Sequence, residues 1–174
     1  MTIPELKALA QERLDFGVAQ IRETGQLIQR FYLVKYGGTL EGIMLGGDIT
    51  NSKSAKAALG MTLKVRVAAG GIEAVIMLSD VYFSTISNEN EAIRRRLNMN
   101  VEESAAFGLC ERHEGVLVTL ESPILAQWTR QEYRRDGKTI RLIGAPWTRD
   151  NTDPSFVRLT GNFVNFFPQK AATS

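Results

Sequence analysis

One histidine, one cysteine and a set of arginines bound the chemistry open to this chain. Cys110 and His113 stand three apart in "CERH". On a strand, side chains at odd separation point to opposite faces, so a thiolate–imidazolium pair is disfavoured. Cys110 reads as a small buried thiol sharing a face with Ala106 and Gly108. His113 reads as an exposed histidine beside a turn at Glu114–Gly115, salt-linked to Glu111 or Glu114. A Ser-His-Asp arrangement would have to use this His, and no G-x-S-x-G elbow is present. One His and one Cys cannot supply the ligands of a structural zinc site, and no acidic cluster marks a magnesium site. The expectation is no metal, no cofactor and no catalysis.

The glycine pairs at 37–38, 46–47 and 70–71 fit neither G-x-x-x-x-G-K-[ST] nor G-x-G-x-x-G. The nearest approach, "LGGDITNSKSA", reads as a strand–helix turn with a capping Asn51 or Ser52. Asp80 interrupts the apolar run "VIMLSDVYF". A carboxylate there needs a partner, for which Arg94, Arg95, Arg96 and Arg112 are candidates. Its functional alternative is a metal-independent enzyme using Asp80 with a nearby arginine.

The strongest binding signal is "QWTRQEYRRDGKTIRL". A hairpin there would carry Trp128, Arg130, Tyr133, Arg134, Arg135, Lys138 and Arg141. Strand ribbons with arginines and stacking rings suit nucleic acid, although Glu132 and Asp136 dilute the charge. Phe156, Phe163, Phe166 and Phe167 crowd the apolar segment 155–168, which either completes the core or docks on a second copy. In "NENEAIRRRLNMNVEES" acids precede and follow three arginines, as a short helix prefers. Ile93 and Leu97 would anchor it to the body. The near-neutral balance predicts a self-satisfied surface connection rather than an anion site.

The elements that must position these residues follow from pattern. The chain has 174 residues, 44% hydrophobic and 23% charged, which suits one domain over 1–174. Net charge of +2 is too mild to demand a nucleic acid or a membrane. One cysteine allows no internal disulfide, and the N-terminus lacks a signal-like apolar core, so a cytoplasmic location is expected. No run approaches the ~20 apolar residues of a membrane helix. Thr2, Pro4 and Glu5 predict a helix start, and apolar spacing carries it over about 3–23 to a stop at Gly25. Two strand-like runs flank Gly37–Gly38. A second helix follows at about 53–69. "IEAVIMLSDVYFST" predicts a central strand covered on both faces. "SAAFGLCERHE", "GVLVTLES", "ILAQWTRQEYRR" and "TIRLIG" predict an antiparallel meander, "APWTRDNTDP" a loop, and 169–174 a frayed tail. The fold class is α+β: a mostly antiparallel sheet, the N-terminal helix, and the second helix between the first hairpin and the central strand, with helices on one face. Function is expected to be binding, to a second copy as a homodimer or higher homo-oligomer and to a protein or nucleic-acid partner.

Overall fold

The computed structural model describes residues 1–154, 156, 159 and 163–167. The expected tail at 169–174 lies outside them. Helix α1 spans Ile3–Thr24 and opens on the expected capping box, Thr2 with Glu5. Gly25 closes it with φ 71°, a left-handed conformation that costs other residues more. Strands β1 (Arg30–Lys35) and β2 (Leu40–Met44) form the first hairpin. Short α2 (Gly47–Asn51) leads into α3 (Lys53–Ala68), whose N-terminus is capped by the Ser52 hydroxyl. Strand β3 (Ile72–Ile86) follows, then α4 (Asn88–Arg96) and α5 (Val101–Ala106). Strands β4 (Cys110–Glu121), β5 (Ala126–Asp136) and β6 (Thr139–Asp150) complete one antiparallel sheet in the order β2-β1-β3-β4-β5-β6.

Alternation along the strands gives the sheet two apolar faces. On one, Ala74, Ile76 and Leu78 of β3 and Val116, Val118 and Leu120 of β4 pack under Leu6, Ala10, Leu14 and Ile21 of α1. On the other, Phe31, Leu33 and Val75 pack with Leu63 and Val67 of α3 and with Phe166 and Phe167. Each such side chain contributes about 1.5–3 kcal/mol when fully buried. The helices therefore lie on both faces, not one. The reason is visible in β1 and β3, which are apolar at consecutive positions and so need cover twice.

Four other expectations are corrected. The meander's first strand begins at Cys110, because Val101–Ala106 coils into α5 on an Asn100–Glu103 capping box. Cys110 is therefore half-buried at a strand start, its Sγ 3.6 Å from the Val101 carbonyl. Glu114–Gly115 is no turn but the middle of β4. Strand β6 does not stop at Gly144. A bulge opposite Arg130–Glu132 absorbs the irregularity and pairing resumes through Trp147 to Asp150, where a loop was expected. In α4, Glu91 holds Arg94 and Arg95, each at 2.7 Å, as the charge pattern implied. Ile93 and Leu97 do not anchor that helix, being 42% and 60% exposed. Among the described residues no helix is long and apolar enough to cross a membrane.

Candidate functional site

Helix α3 and the C-terminal residues cover only the β1 side of their face. Among the described residues the rest, built by β3 to β6, stays open. Ladder register fixes its rows: Met77, Thr119, Trp128 and Arg149; then Ser79, Leu117, Arg130 and Trp147; then Val81, Gly115, Glu132 and Ile143. Beyond these, Phe83 pairs with His113 and Arg134 pairs with Arg141.

Stacking organises this surface. The Arg130 guanidinium lies 3.8 Å above the Phe83 ring and 4.7 Å from Trp147. Arg149 sits 4.6 Å from Trp147, and Trp128 meets Trp147 edge-on at 5.0 Å. Phe83 carries the His113 ring as well, parallel within 12° and 5.1 Å away. Gly115 permits this close arrangement: a Cβ there would stand 3.1 Å from Phe83 Cε1 and from the Gln131 carbonyl. Arg130 spends its π-face on rings, which leaves its in-plane N–H donors uncommitted. Partial burial holds its pKa below the usual value against the opposing charge of Glu132. Arg149, by contrast, is paired to Asp153 at 2.5 Å.

Beside Arg130 lies a cavity of about 370 Å³. Leu117, Val81 and Phe83 form its floor, and Trp128, Phe163 and Val164 its wall. Ser79 opens into it while only 4% exposed, and its hydroxyl has no hydrogen-bond partner among the described residues. A buried hydroxyl without a partner costs about 1–3 kcal/mol.

The basic–aromatic hairpin is thus divided. Trp128, Arg130, Arg134 and Arg141 share the open face, and Lys138 lies in the turn between β5 and β6. Tyr133 and Arg135 point under α1 instead. There Tyr133 is 2% exposed and donates from its hydroxyl to Asp80 Oδ1 at 2.7 Å. Arg135 donates to the Tyr133 oxygen at 3.0 Å, to Glu114 at 2.9 Å and to the Gly25 carbonyl at 2.6 Å. The partner of Asp80 is therefore Arg135, 3.7 Å away, and none of the four arginines expected, because residues 112 and 94–96 lie elsewhere in the register. Burial raises the Asp80 carboxyl above its ordinary value, with the Tyr133 bond and Arg135 opposing. Burial, then the Asp80 bond, pushes the Tyr133 phenol well up. This is the architecture of a structural clamp tying the end of α1 to the sheet.

The C-terminal rings meet this chain's own core. Phe166 and Phe167 are 5% and 7% exposed, and Phe31 stacks edge-on with Phe163 at 4.9 Å and Phe166 at 6.0 Å. Phe166 and Phe167 have little surface left for a second copy, whereas Phe163 is half-buried and Phe156 lines a cleft against β4 and β5. Exposed apolar surface occurs instead on α4 and α5, where Leu97, Val101 and Phe107 are 60%, 47% and 76% exposed.

His113 is not an exposed turn residue. It is half-buried, its Nδ1–H donates to Glu132 at 2.5 Å, and its Nε2 meets the Thr85 hydroxyl at 3.0 Å. Sequence reading missed Phe83, Thr85, Glu132, Trp147 and Arg149. For the last two no local signal existed: "APWTRD" runs three apolar residues and then three polar ones, without the alternation of a half-buried strand. Among the described residues no group of His, Cys, Asp or Glu is placed to hold a metal ion. Comparison with known proteins identifies no relative: no family model, no curated protein and no solved structure matches the chain.

Proposed function

We propose that this protein acts by binding, and that its ligand is a small amphipathic anion held on the open sheet face. The acid group meets Arg130, and the apolar body enters the cavity beside Trp128. The observation that supports this reading is the state of Arg130. It is partly desolvated and stacked, and it makes no ion pair among the described residues. Desolvated guanidinium donors gain most from a carboxylate or phosphate oxygen. At roughly 30 Å³ per heavy atom, as for liquid water, the cavity of about 370 Å³ admits about a dozen non-hydrogen atoms. A medium-chain carboxylic acid has that size.

The chain's two tryptophans, Trp128 and Trp147, both sit here, so intrinsic fluorescence reports occupancy. Decanoate should change it saturably. Decanol, with the same chain and no charge, should bind at least ~10-fold more weakly, as should decanoate to Arg130→Met, since a charge-assisted hydrogen bond is worth about 1.5–3 kcal/mol. Equal binding of decanoate and decanol would sink the anion anchor. Salt-dependent binding of a single-stranded oligonucleotide, abolished by changing Arg134 and Arg141 to Ala, would replace this reading with nucleic-acid recognition along the same face.

Self-association is a second reading, carried by a different surface. The exposed Leu97 and Val101 lie between Arg96 and Glu102 in the sequence, with exposed Phe107 beyond, and neither charge forms an ion pair among the described residues. Opposite charges flanking one apolar patch suit a two-fold contact with a second copy. Native mass spectrometry should then show a dimer that Leu97→Glu dissociates. A wild-type monomer at micromolar concentration removes this reading.

A further inference from the structure

Three residues on the open face make a chain of hydrogen bonds beside the Arg130 pocket, with which they share the Phe83 ring. Thr85 of β3, His113 of β4 and Glu132 of β5 lie on a diagonal across three neighbouring strands. The register places them one row apart in turn, within reach for side chains of this length. Glu132 accepts from Nδ1–H at 2.5 Å, which orients the ring with Nε2 on its other side. In the tautomer with its proton on Nδ1, Nε2 is the acceptor, and it meets the Thr85 hydroxyl at 3.0 Å. The Phe83 ring, stacked on His113 at 5.1 Å, holds the imidazole plane. Thr85 is exposed, so the hydroxyl can be approached from solvent. Arg134 lines a polar cavity of about 270 Å³ together with His113 and Glu132. Glu111 is also near Nε2, at 3.7 Å, outside hydrogen-bond distance and exposed.

From this geometry we infer that Thr85, His113 and Glu132 form a hydroxyl–imidazole–carboxylate relay that transfers the acyl group of a small ester to water. Nucleophile, base and orienting carboxylate stand in the order that such chemistry needs, and the order is recognised by geometry rather than by sequence position. Thr85 Oγ attacks the ester carbonyl carbon while its proton passes to His113 Nε2. The carbonyl oxygen becomes an oxyanion; Arg134, which lines the polar cavity beside His113 and makes no ion pair among the described residues, is the cation assigned to it, since the ladder's own N–H groups are engaged in strand pairing. The bond from carbon to the alkoxide breaks, and Nε2–H gives its proton to that oxygen, releasing an alcohol. Water then attacks the acyl-threonine, losing a proton to Nε2. The C–Oγ bond breaks, the carboxylic acid leaves, and Oγ regains the proton. Thr85 and His113 are the catalytic residues, and Glu132 is a positioning residue.

The test is hydrolysis of p-nitrophenyl acetate and butyrate by the full chain. The wild type should turn over saturably above buffer. Thr85→Ala and His113→Ala should each lose about 100-fold or more in kcat/KM, whereas Thr85→Ser stays within about 10-fold, in line with the usual size of general-base catalysis. Glu132→Gln should lower kcat and alter the pH profile, which a merely structural role would not do. Rapid quenching should place an acetyl group on the peptide that carries Thr85. A wild-type rate equal to that of Thr85→Ala, or acetylation confined to lysines, overturns the inference. Thr85 is exposed, so the alanine variant should fold; a melting curve matching the wild type verifies it. Loss of decanoate binding with esterase activity intact would refute the pocket alone.

Discussion

Replacing Tyr133 by Phe tests whether the Asp80 cluster is a clamp or a site. The change keeps the ring, which is 2% exposed, and deletes one oxygen. That oxygen donates to Asp80 at 2.7 Å and accepts from Arg135 at 3.0 Å. A hydrogen bond to a charged group is worth about 1.5–3 kcal/mol. The Asp80 side chain keeps 27% exposure and has Arg135 at 3.7 Å, so the lower end applies. At neutral pH the cost should be about 1.5–2 kcal/mol, or roughly 3–8 °C in melting temperature for a domain of this size. Asp80→Asn should cost less than about 0.5 kcal/mol, because losing the attraction of Arg135 is offset by no longer burying a charge. The pH dependence has a definite sign. Burial raises the Asp80 carboxyl in the fold above its ordinary value of 3.8, so its contribution is full below that value and is lost as pH rises through the folded one. Removing Tyr133's hydroxyl raises it further, so the penalty of Tyr133→Phe should grow from acid to neutral pH. Urea unfolding of both variants at each pH measures this. A penalty under about 0.5 kcal/mol at neutral pH, or one equal at both, refutes the bond, and a large loss in Asp80→Asn refutes the offset between burying this charge and pairing it with Arg135.

Three further outcomes follow from the same contacts. Phe166→Ala should cost about 3–5 kcal/mol without altering oligomeric state, as for any large core truncation, and a concentration-dependent melting temperature in the wild type alone would contradict that. Gly17→Ala should destabilise by about 1 kcal/mol, because a Cβ 2.6 Å from the buried Leu78 Cδ1 overpacks the α1–sheet contact by more than helix propensity returns; urea unfolding showing a gain would refute this. Glu41 is held down to about 2 by Arg66 and then Lys35, and Asp150 to about 2 by Lys7 and then Thr152, so their contributions are present above 4.5 and 3.8 and are lost as pH falls toward 2; Glu41→Gln and Asp150→Asn should flatten the acid limb of the melting profile.

What sequence could foresee depended on whether the information was local. The capping box at Thr2–Glu5, the stop at Gly25, the span of α3 and the apolar centre of β3 all lie within a few residues of their cause, and all were legible. The second covered face was also present in the text, in the unbroken apolar run of β1, but part of its cover, beside Leu63 and Val67 of α3, comes from Phe166 and Phe167, far along the chain. The relay at His113 was beyond reach. Its partners are 28 and 19 residues away, and their meeting depends on the register of two ladders. A shift of one residue would send Thr85 or Glu132 to the opposite face. Asp80 shows the same limit: the nearby arginines were reasonable partners by proximity in sequence, yet the ladder delivered Arg135.

The open face follows from element lengths. Strand β3 has 15 residues and reaches about 50 Å, whereas α3 has 16 and reaches about 24 Å. Helix α3 therefore cannot cover the whole of the strand that follows it, and among the described residues the strip beyond it is left without a helix. Had water alone shaped that strip, alternating Lys, Thr and Glu would serve, since isolated surface charges contribute little. The sequence instead places Phe83, Trp128 and Trp147 there, with Arg130 between two rings. Exposing rings has a cost in water, and stacking a guanidinium on them recovers part of it while leaving its hydrogen-bond donors outward. Lysine at 130 would keep the charge but lose both the planar stack and the forked donors. The choice of arginine on rings, beside a cavity into which Ser79 opens with no hydrogen-bond partner among the described residues, is thus more specific than solubility requires. On the helix-covered face the charged residues of the same strands, Asp80, Glu114 and Arg135, are spent on one another. The uncommitted donors of Arg130 are on the side that no helix reaches.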